Sequence, residues 1–182
     1  MYSRLNNVVL SGNSIDQDNW YVLYTRPNFE KQINKELTRL GFNSYLPLQR
    51  KLRHWNDRKV WIESPLFSSY VFIKISLRKK DLALKVNGIL KYVRIGSELA
   101  KLNEQEINRV KQLCLYEGRI TIDFERLEVG RKVEISEGVL KGLTGFLVET
   151  NENKKLRINI ESLNCFAFVT IDFDSISLKY IT

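Results

Sequence analysis

Hydrophobic residues change their spacing along this chain, and the changes mark its elements. Trp20-Tyr21-Val22-Leu23-Tyr24-Thr25 is a β-branched and aromatic run that predicts a strand, and Arg26-Pro27-Asn28 ends it. Pro27 has no N–H for a ladder and biases the residue before it toward extended geometry. Phe29, Ile33, Leu37 and Leu40 then share one helical face, with Asn28 placed as N-cap and Gly41 where a left-handed C-cap is wanted. Lys31, Lys35 and Arg39 occupy the opposite face. Phe42 to Leu52 and Lys59 to Ile62 read as two strands of a hairpin, and Leu66 to Ile75 as a longer strand. Ser76 to Val86 reads as a helix buried through Leu77, Leu82 and Val86, and Ile89 to Ile95 as a further strand. Asn103 with Glu106 makes a capping box, after which Ile107, Val110, Leu113 and Tyr116 keep helical spacing to Gly118. Met1 to Asn19 shows no period and reads as a loose leader.

From Leu127 onward the texture changes. Val133, Ile135, Phe146, Val148, Leu156, Ile158, Ile160, Phe166, Phe168, Val169, Ile171, Ile176 and Leu178 lie in short alternating runs divided by Gly, Asn, Glu and Lys turns. That is the pattern of a small all-β barrel. The expected fold class is therefore α+β. A flexible leader at 1–18 precedes an N-terminal mixed sheet with three flanking helices at 19–117, a linker at 118–127, and a small all-β, SH3-like barrel at 128–182.

Composition adds little to this picture until charge is divided. At 182 residues, 43% hydrophobic and 27% charged, the chain is ordinary for a globular protein, which excludes disorder and low complexity for most of its length. The net charge is +8, yet the first 120 residues hold 21 basic and 11 acidic side chains and the last 62 hold 8 and 10. A polyanion contact therefore belongs to the first module. In the densest stretch, Arg50, Lys51, Arg53, Arg58 and Lys59 meet one acid, Asp57, around His54 and Trp55. Such cations can track phosphates beside a stacking ring, or can simply keep a strand edge soluble. Arg78-Lys79-Lys80 is a second cluster.

The chemistry of an enzyme is not expected. His54 is the single histidine and has no partner in a motif, and Cys114 and Cys165 lack the spacing of a zinc site or disulfide framework. Both thiols are expected to be buried and inert, and no cofactor is implied. No apolar run reaches the roughly 18 residues of a membrane span and no secretory signal is recognisable, so a cytoplasmic protein is expected.

One strand poses a problem. Tyr70 and Phe72 point to one face of Tyr70-Val71-Phe72-Ile73-Lys74-Ile75, and Val71, Ile73 and Ile75 to the other, yet both faces are apolar. The strand at Trp20 repeats the pattern. Helices on both sides would explain this. If the three helices instead pack on one side, Tyr24, Phe67, Tyr70 and Phe72 form an exposed patch of the kind that marks a protein interface.

Two stretches resemble a known family in content and spacing. Trp20 to Tyr24, with Pro65-Leu66-Phe67-Ser68-Ser69-Tyr70-Val71-Phe72, is similar to the amino-terminal domain of the NusG/RfaH transcription elongation factors. Val129-Gly130-Arg131-Lys132-Val133-Glu134-Ile135, followed by Gly138, Leu140, Gly142 and Gly145, is similar to their KOW domain. Tyr45-Leu46-Pro47-Leu48 and His54-Trp55-Asn56-Asp57-Arg58-Lys59 resemble the specialised UpxY type, antiterminators of capsular polysaccharide operons.

The resemblance implies an elongation and antitermination factor. Tyr24, Phe67, Tyr70 and Phe72 would hold the clamp helices of the RNA polymerase β′ subunit, and Lys79 and Lys80 would meet the gate loop of the β subunit. Arg26, with Lys31, Lys35 and Arg39, would face the displaced non-template DNA strand, and Arg50, Lys51, Arg53 and Arg58 are further candidates for nucleic acid. The KOW domain would take a small-subunit ribosomal protein or the termination factor Rho. In RfaH that domain can fold as a helical hairpin masking the polymerase patch. Here its Val, Ile, Phe and Thr content favours strands. Two other readings remain open: a housekeeping NusG-like factor, and an RNA-binding or ribosome-associated KOW module without polymerase contact. Where the family has Pro followed by Gly or Asn before the tyrosine, this chain has Ser68-Ser69, and Gln32 and Glu36 stand at polar positions that RfaH uses on its first helix.

Overall fold

The computed structural model describes residues 17–55, 58–123, 130–149, 154–170 and 177–181, with 53–55, 149 and 154 described by backbone alone. The expected leader, through residue 16, lies outside them, as do Asn56, Asp57, Val129, Ile171 and Ile176. The elements run β1 (Asn19–Thr25), α1 (Glu30–Arg39), β2 (Asn43–Tyr45), β3 (Leu48–Trp55), β4 (Arg58–Pro65) and β5 (Tyr70–Ile75). A 3-10 turn (Leu77–Lys79), α2 (Lys80–Ala83), β6 (Ile89–Tyr92), β7 (Arg94–Ile95), β8 (Glu98–Leu99), β9 (Lys101–Leu102) and α3 (Glu104–Leu115) follow. Then come β10 (Ile120–Asp123), β11 (Lys132–Ile135), β12 (Thr144–Glu149), β13 (Lys154–Ile160), a second 3-10 turn (Glu161–Leu163), β14 (Cys165–Thr170) and β15 (Leu178–Tyr180).

The first sheet has the order β2-β5-β1-β6, with β9 also on β1. A mixed sheet was expected, but its described ladders are all antiparallel. The reason is topological. β1 and β2, joined through α1, run the same way, and β5 inserts between them so that they never pair. β3 and β4 form a separate hairpin in register from Leu48 opposite Pro65 to Trp55 opposite Arg58.

Both faces of the first sheet are covered. Tyr21, Leu23, Val71, Ile73 and Ile75 bury one face with Ile33 and Leu37 of α1 and with Ala83 and Val86 around α2. Trp20, Val22 and Phe72 bury the other with Leu102 and with Ile107, Val110 and Leu113 of α3. The two-sided apolar strands therefore follow from cover on two sides, and the helices do not pack on one face alone.

Three local expectations are corrected. Asn28 has φ 65°, a left-handed turn that Asn tolerates after Pro27, so Phe29 and not Asn28 is the N-cap of α1, without a side-chain cap. Leu40 and Leu82 are each 49% exposed, because the buried stripe of α1 narrows to Ile33 and Leu37 and α2 is a single turn that turns Ala83 inward. The strand expected over Leu66 to Ile75 begins only at Tyr70, since Ser69 at φ 64° breaks it. Gly41, at φ +82°, does close α1, and its N–H reaches the Thr38 carbonyl.

The described residues from 130 onward form strands and a 3-10 turn, without α-helix. They belong to a six-stranded antiparallel sheet of order β10-β14-β13-β12-β11-β15. The stretch expected to link the halves contributes its first strand, as Ile120–Asp123 pairs with β14. Gly130 enters this sheet where a Cβ would stand 1.6 Å from the Leu147 carbonyl oxygen, so a side chain there cannot fit without parting the strands.

Candidate functional site

Tyr24, Tyr70 and Phe72 come together on one face of β1 and β5, as the alternation predicts, and Phe67 joins them from the turn before β5. β1 and β5 place Tyr24 directly opposite Tyr70 and Val22 opposite Phe72. The Tyr24 and Tyr70 rings meet edge to face at 6.0 Å, Phe67 meets Phe72 at 5.7 Å, and Tyr45 on β2 extends the row to Phe72 at 6.3 Å. Such pairs hold one another in place. The Lys91 ammonium lies 5.7 Å over the Tyr24 ring and the Lys111 ammonium 5.8 Å over the Tyr45 ring, so cations bracket the row at both ends.

The patch is not open to solvent, which corrects the exposed surface considered above. Phe67 is 2% exposed and Phe72 fully buried, while Tyr24 and Tyr70 are half-buried. Their buried cluster continues without a break into Leu140 and Leu143 of the β11–β12 connection, Leu163 of the second 3-10 turn and Cys165 of β14, with Tyr70 packed against it. Burial pushes the Tyr70 phenol up, and the neighbouring Cys165 adds to this. Burial alone raises the Cys165 thiol to about 12, so this cysteine is protonated and inert as expected. Cys114 on α3 is half-buried and its thiol is likewise raised by burial.

Polar contacts fasten this cover. Glu106, 5% exposed, completes the capping box of α3 by accepting the Asn103 N–H at 3.0 Å, while the Asn103 side chain accepts the Glu106 N–H at 2.9 Å. The same carboxylate also accepts the Ser162 N–H at 2.9 Å and the Ser162 hydroxyl at 2.6 Å. One side chain thus ends a helix and holds the turn before β14. The Tyr116 hydroxyl donates to the Thr170 carbonyl at 2.9 Å, and the Gln112 amide to the Lys141 carbonyl at 3.2 Å. Sequence spacing revealed Glu106 as a cap only, because Ser162 is 56 positions away and carries no motif.

The cations divide into groups. Lys79 and Lys80 are exposed at the start of α2, where the Tyr92 hydroxyl donates to the Lys80 carbonyl at 3.0 Å. Arg26 is exposed beside the turn at Gly88, whose carbonyl takes its backbone N–H. Lys35 is exposed on α1, but Arg39 is held by Glu36 through two short hydrogen bonds that lower the Glu36 carboxyl below its ordinary value. Lys31 reaches from α1 to the Glu63 carbonyl at 2.9 Å and ties the helix to the hairpin. Arg50 and Lys51 on β3 and Arg58 on β4 are exposed, and the side chain of Arg53 lies outside the described residues. At the hairpin base the Gln49 amide donates to the Gly118 carbonyl at 3.0 Å. Among the described residues no group of acidic, histidine and cysteine side chains could hold a metal ion.

Residues 18–111 match the family model described as transcription termination factor NusG. The chain belongs to the NusG family. It is 25% identical over 164 residues to the transcription termination/antitermination protein NusG of Rickettsia bellii, covering 84% of this chain and 85% of that one. The Rickettsia felis protein of the same name is 21% identical over 169 residues, covering 86% and 88%. Among solved structures, one titled "Domain interaction in Thermotoga maritima NusG" matches with a TM-score of 0.52 at 17% identity, covering 88% of this chain and 97% of that one. This chain is a NusG-like transcription termination/antitermination factor, a class of transcription factors and not of enzymes. No helix among the described residues is long and apolar enough to cross a membrane.

Proposed function

We propose that this NusG-family factor binds the β′ clamp helices of transcribing RNA polymerase with Tyr24, Phe67, Tyr70 and Phe72, once its own C-terminal sheet has moved off them. The observation that carries this reading is the pre-assembled aromatic row on β1, β2 and β5, covered by a second sheet that a few polar contacts hold in place. A covered apolar patch has two occupants competing for it, and the affinity seen by the second is reduced by the fraction of time the first is bound. Lys79 and Lys80 meet the β gate loop at one side. Arg26, Lys31 and Lys35 face the displaced non-template strand, with Arg39 contributing less because Glu36 neutralises it, and Arg50, Lys51, Arg53 and Arg58 extend the basic track along the hairpin.

A factor so placed holds the clamp closed around nucleic acid and suppresses pausing or termination by biasing a conformational equilibrium, with no bond made or broken. The UpxY-like stretches support polysaccharide operons as its place of action. The C-terminal sheet, a KOW barrel in this reading, is freed by the same opening for a protein partner such as Rho or a small-subunit ribosomal protein. Capture of the full chain on immobilised polymerase tests the reading. Tyr24→Ala and Tyr70→Ala, both at half-buried positions, are expected to weaken capture roughly 30-fold each, as central aromatic anchors do. Capture equal to that of the unmodified chain would refute it.

A further inference from the structure

The β3–β4 hairpin carries a feature that the polymerase contact does not use. Among the described residues its strands pair with each other and with no strand of either larger sheet. An antiparallel register places directly paired residues on one face, so Arg50, Leu52, Lys59, Trp61 and Glu63 share a face and Lys51, Arg58, Val60 and Ile62 share the other. Trp61 is 49% exposed and Leu52, directly opposite, is 42% exposed. The Arg50 guanidinium lies 5.3 Å over the Trp61 ring. On the face of this pair Lys59 is exposed, as is Arg50, against Glu63 as its described carboxylate, and Lys51 and Arg58 are exposed on the other face.

We infer that Trp61, braced by Arg50, is a stacking platform for an unpaired base of a single-stranded nucleic acid, with Lys59 on the same face meeting a flanking phosphate. An exposed indole is not needed to hold a ladder whose backbone is already paired. The excess positive charge around it selects a polyanion over an apolar protein face. A flat ring under a guanidinium offers stacking to a base that is unpaired, whereas a duplex buries its base faces within its own stack. The inference rests on the proposed path of the displaced strand and names the residue that grips it.

The test uses the full chain and fluorescein-labelled 12-nucleotide single-stranded DNA, the same sequence as RNA, and the blunt 12-base-pair DNA duplex, titrated by fluorescence anisotropy. Trp61→Ala is expected to weaken single-strand binding roughly tenfold, the ordinary cost of losing one stacked base, and to leave duplex binding unchanged. Trp61→Phe keeps a ring and is expected to retain most of the affinity, which separates stacking from a folding defect. Lys59→Ala is expected to reduce the salt slope of single-strand binding by about 0.7, and Trp61→Ala to leave that slope alone. The DNA and RNA arms tell which strand the platform prefers. Equal loss on duplex and single strand with Trp61→Ala, or no loss on either, overturns the inference. If Lys59→Ala weakens binding while Trp61→Ala does not, the platform is refuted and the basic track stands. Polymerase capture by the Tyr70 variant is measured separately, so failure of that reading does not alter this result.

Discussion

Replacing Ser162 with alanine removes one hydrogen bond and very little else. The Ser162 hydroxyl donates to Glu106 at 2.6 Å, while the Ser162 backbone N–H donates to the other carboxylate oxygen and survives the substitution. A hydrogen bond to a carboxylate contributes about 1.5–3 kcal/mol, and Ser162 is half-buried, so the lower part of that range applies. Each 1.4 kcal/mol is a factor of ten, so the open fraction should rise roughly 10- to 30-fold. Cys165 reports on it. The thiol is fully buried beside Tyr70, and burial raises its pKa to about 12, so reagent reaches a reactive thiolate only when the C-terminal sheet leaves the aromatic row. The rate of Cys165 modification by an aromatic disulfide, measured in a Cys114→Ser background, should therefore climb by the same factor. Global stability, followed through the buried Trp20, should fall by far less, because the first sheet keeps the helices on both its faces. An unchanged Cys165 rate would refute the role of this contact in holding the cover. A rate that rises only in step with global unfolding would refute separate opening of the two sheets.

Alkaline conditions should weaken the fold. Burial raises Cys165 and Tyr92 to about 12 and also raises Tyr45 and Tyr70, whereas the unfolded groups titrate near 9 for the thiol and near 10 for the phenols. Above about pH 9 the unfolded chain has lost protons that the folded one still holds, so stability is full below that pH and falls as pH rises toward 12, by up to about 1.4 kcal/mol per unit for each group. Urea midpoints at pH 8, 9.5 and 10.5 check this, with a shallower slope expected for Cys165→Ala; a flat profile would contradict it. Gly130→Ala drives a methyl group into the Leu147 carbonyl and should cost about 3 kcal/mol, seen as a fall of roughly 6–12 °C in the melting temperature of the chain. An unchanged melting temperature would mean that the strands part there without cost.

Period, caps and charge were legible in the residues themselves. Alternation at Trp20–Thr25 and Tyr70–Ile75 gave strands apolar on both faces, Asn103 and Glu106 marked the start of α3, and Gly41 marked the end of α1. These are local properties, fixed by steric limits and by hydrogen bonds between residues a few positions apart. The division of charge placed the cations on the first module, and they are exposed there along α1, at the start of α2 and on the hairpin. Local pattern also misled where a neighbour decided the outcome. Leu40 and Leu82 keep helical spacing yet stay exposed, because no described residue packs over those ends of their helices.

The tertiary structure alone decided what covers each apolar face. A period of two says that Tyr70 and Phe72 share a face, but their burial depends on α3 and on a second sheet far along the chain. It likewise decided that Glu106, readable as a cap, takes two further hydrogen bonds from Ser162, and that Trp61 stands under Arg50 in a hairpin open to solvent. The physical reason is common to all three. A side chain's conformational and capping preferences act over one turn of chain, whereas burial and long-range hydrogen bonding depend on which distant surface arrives, and no residue carries that information on its own.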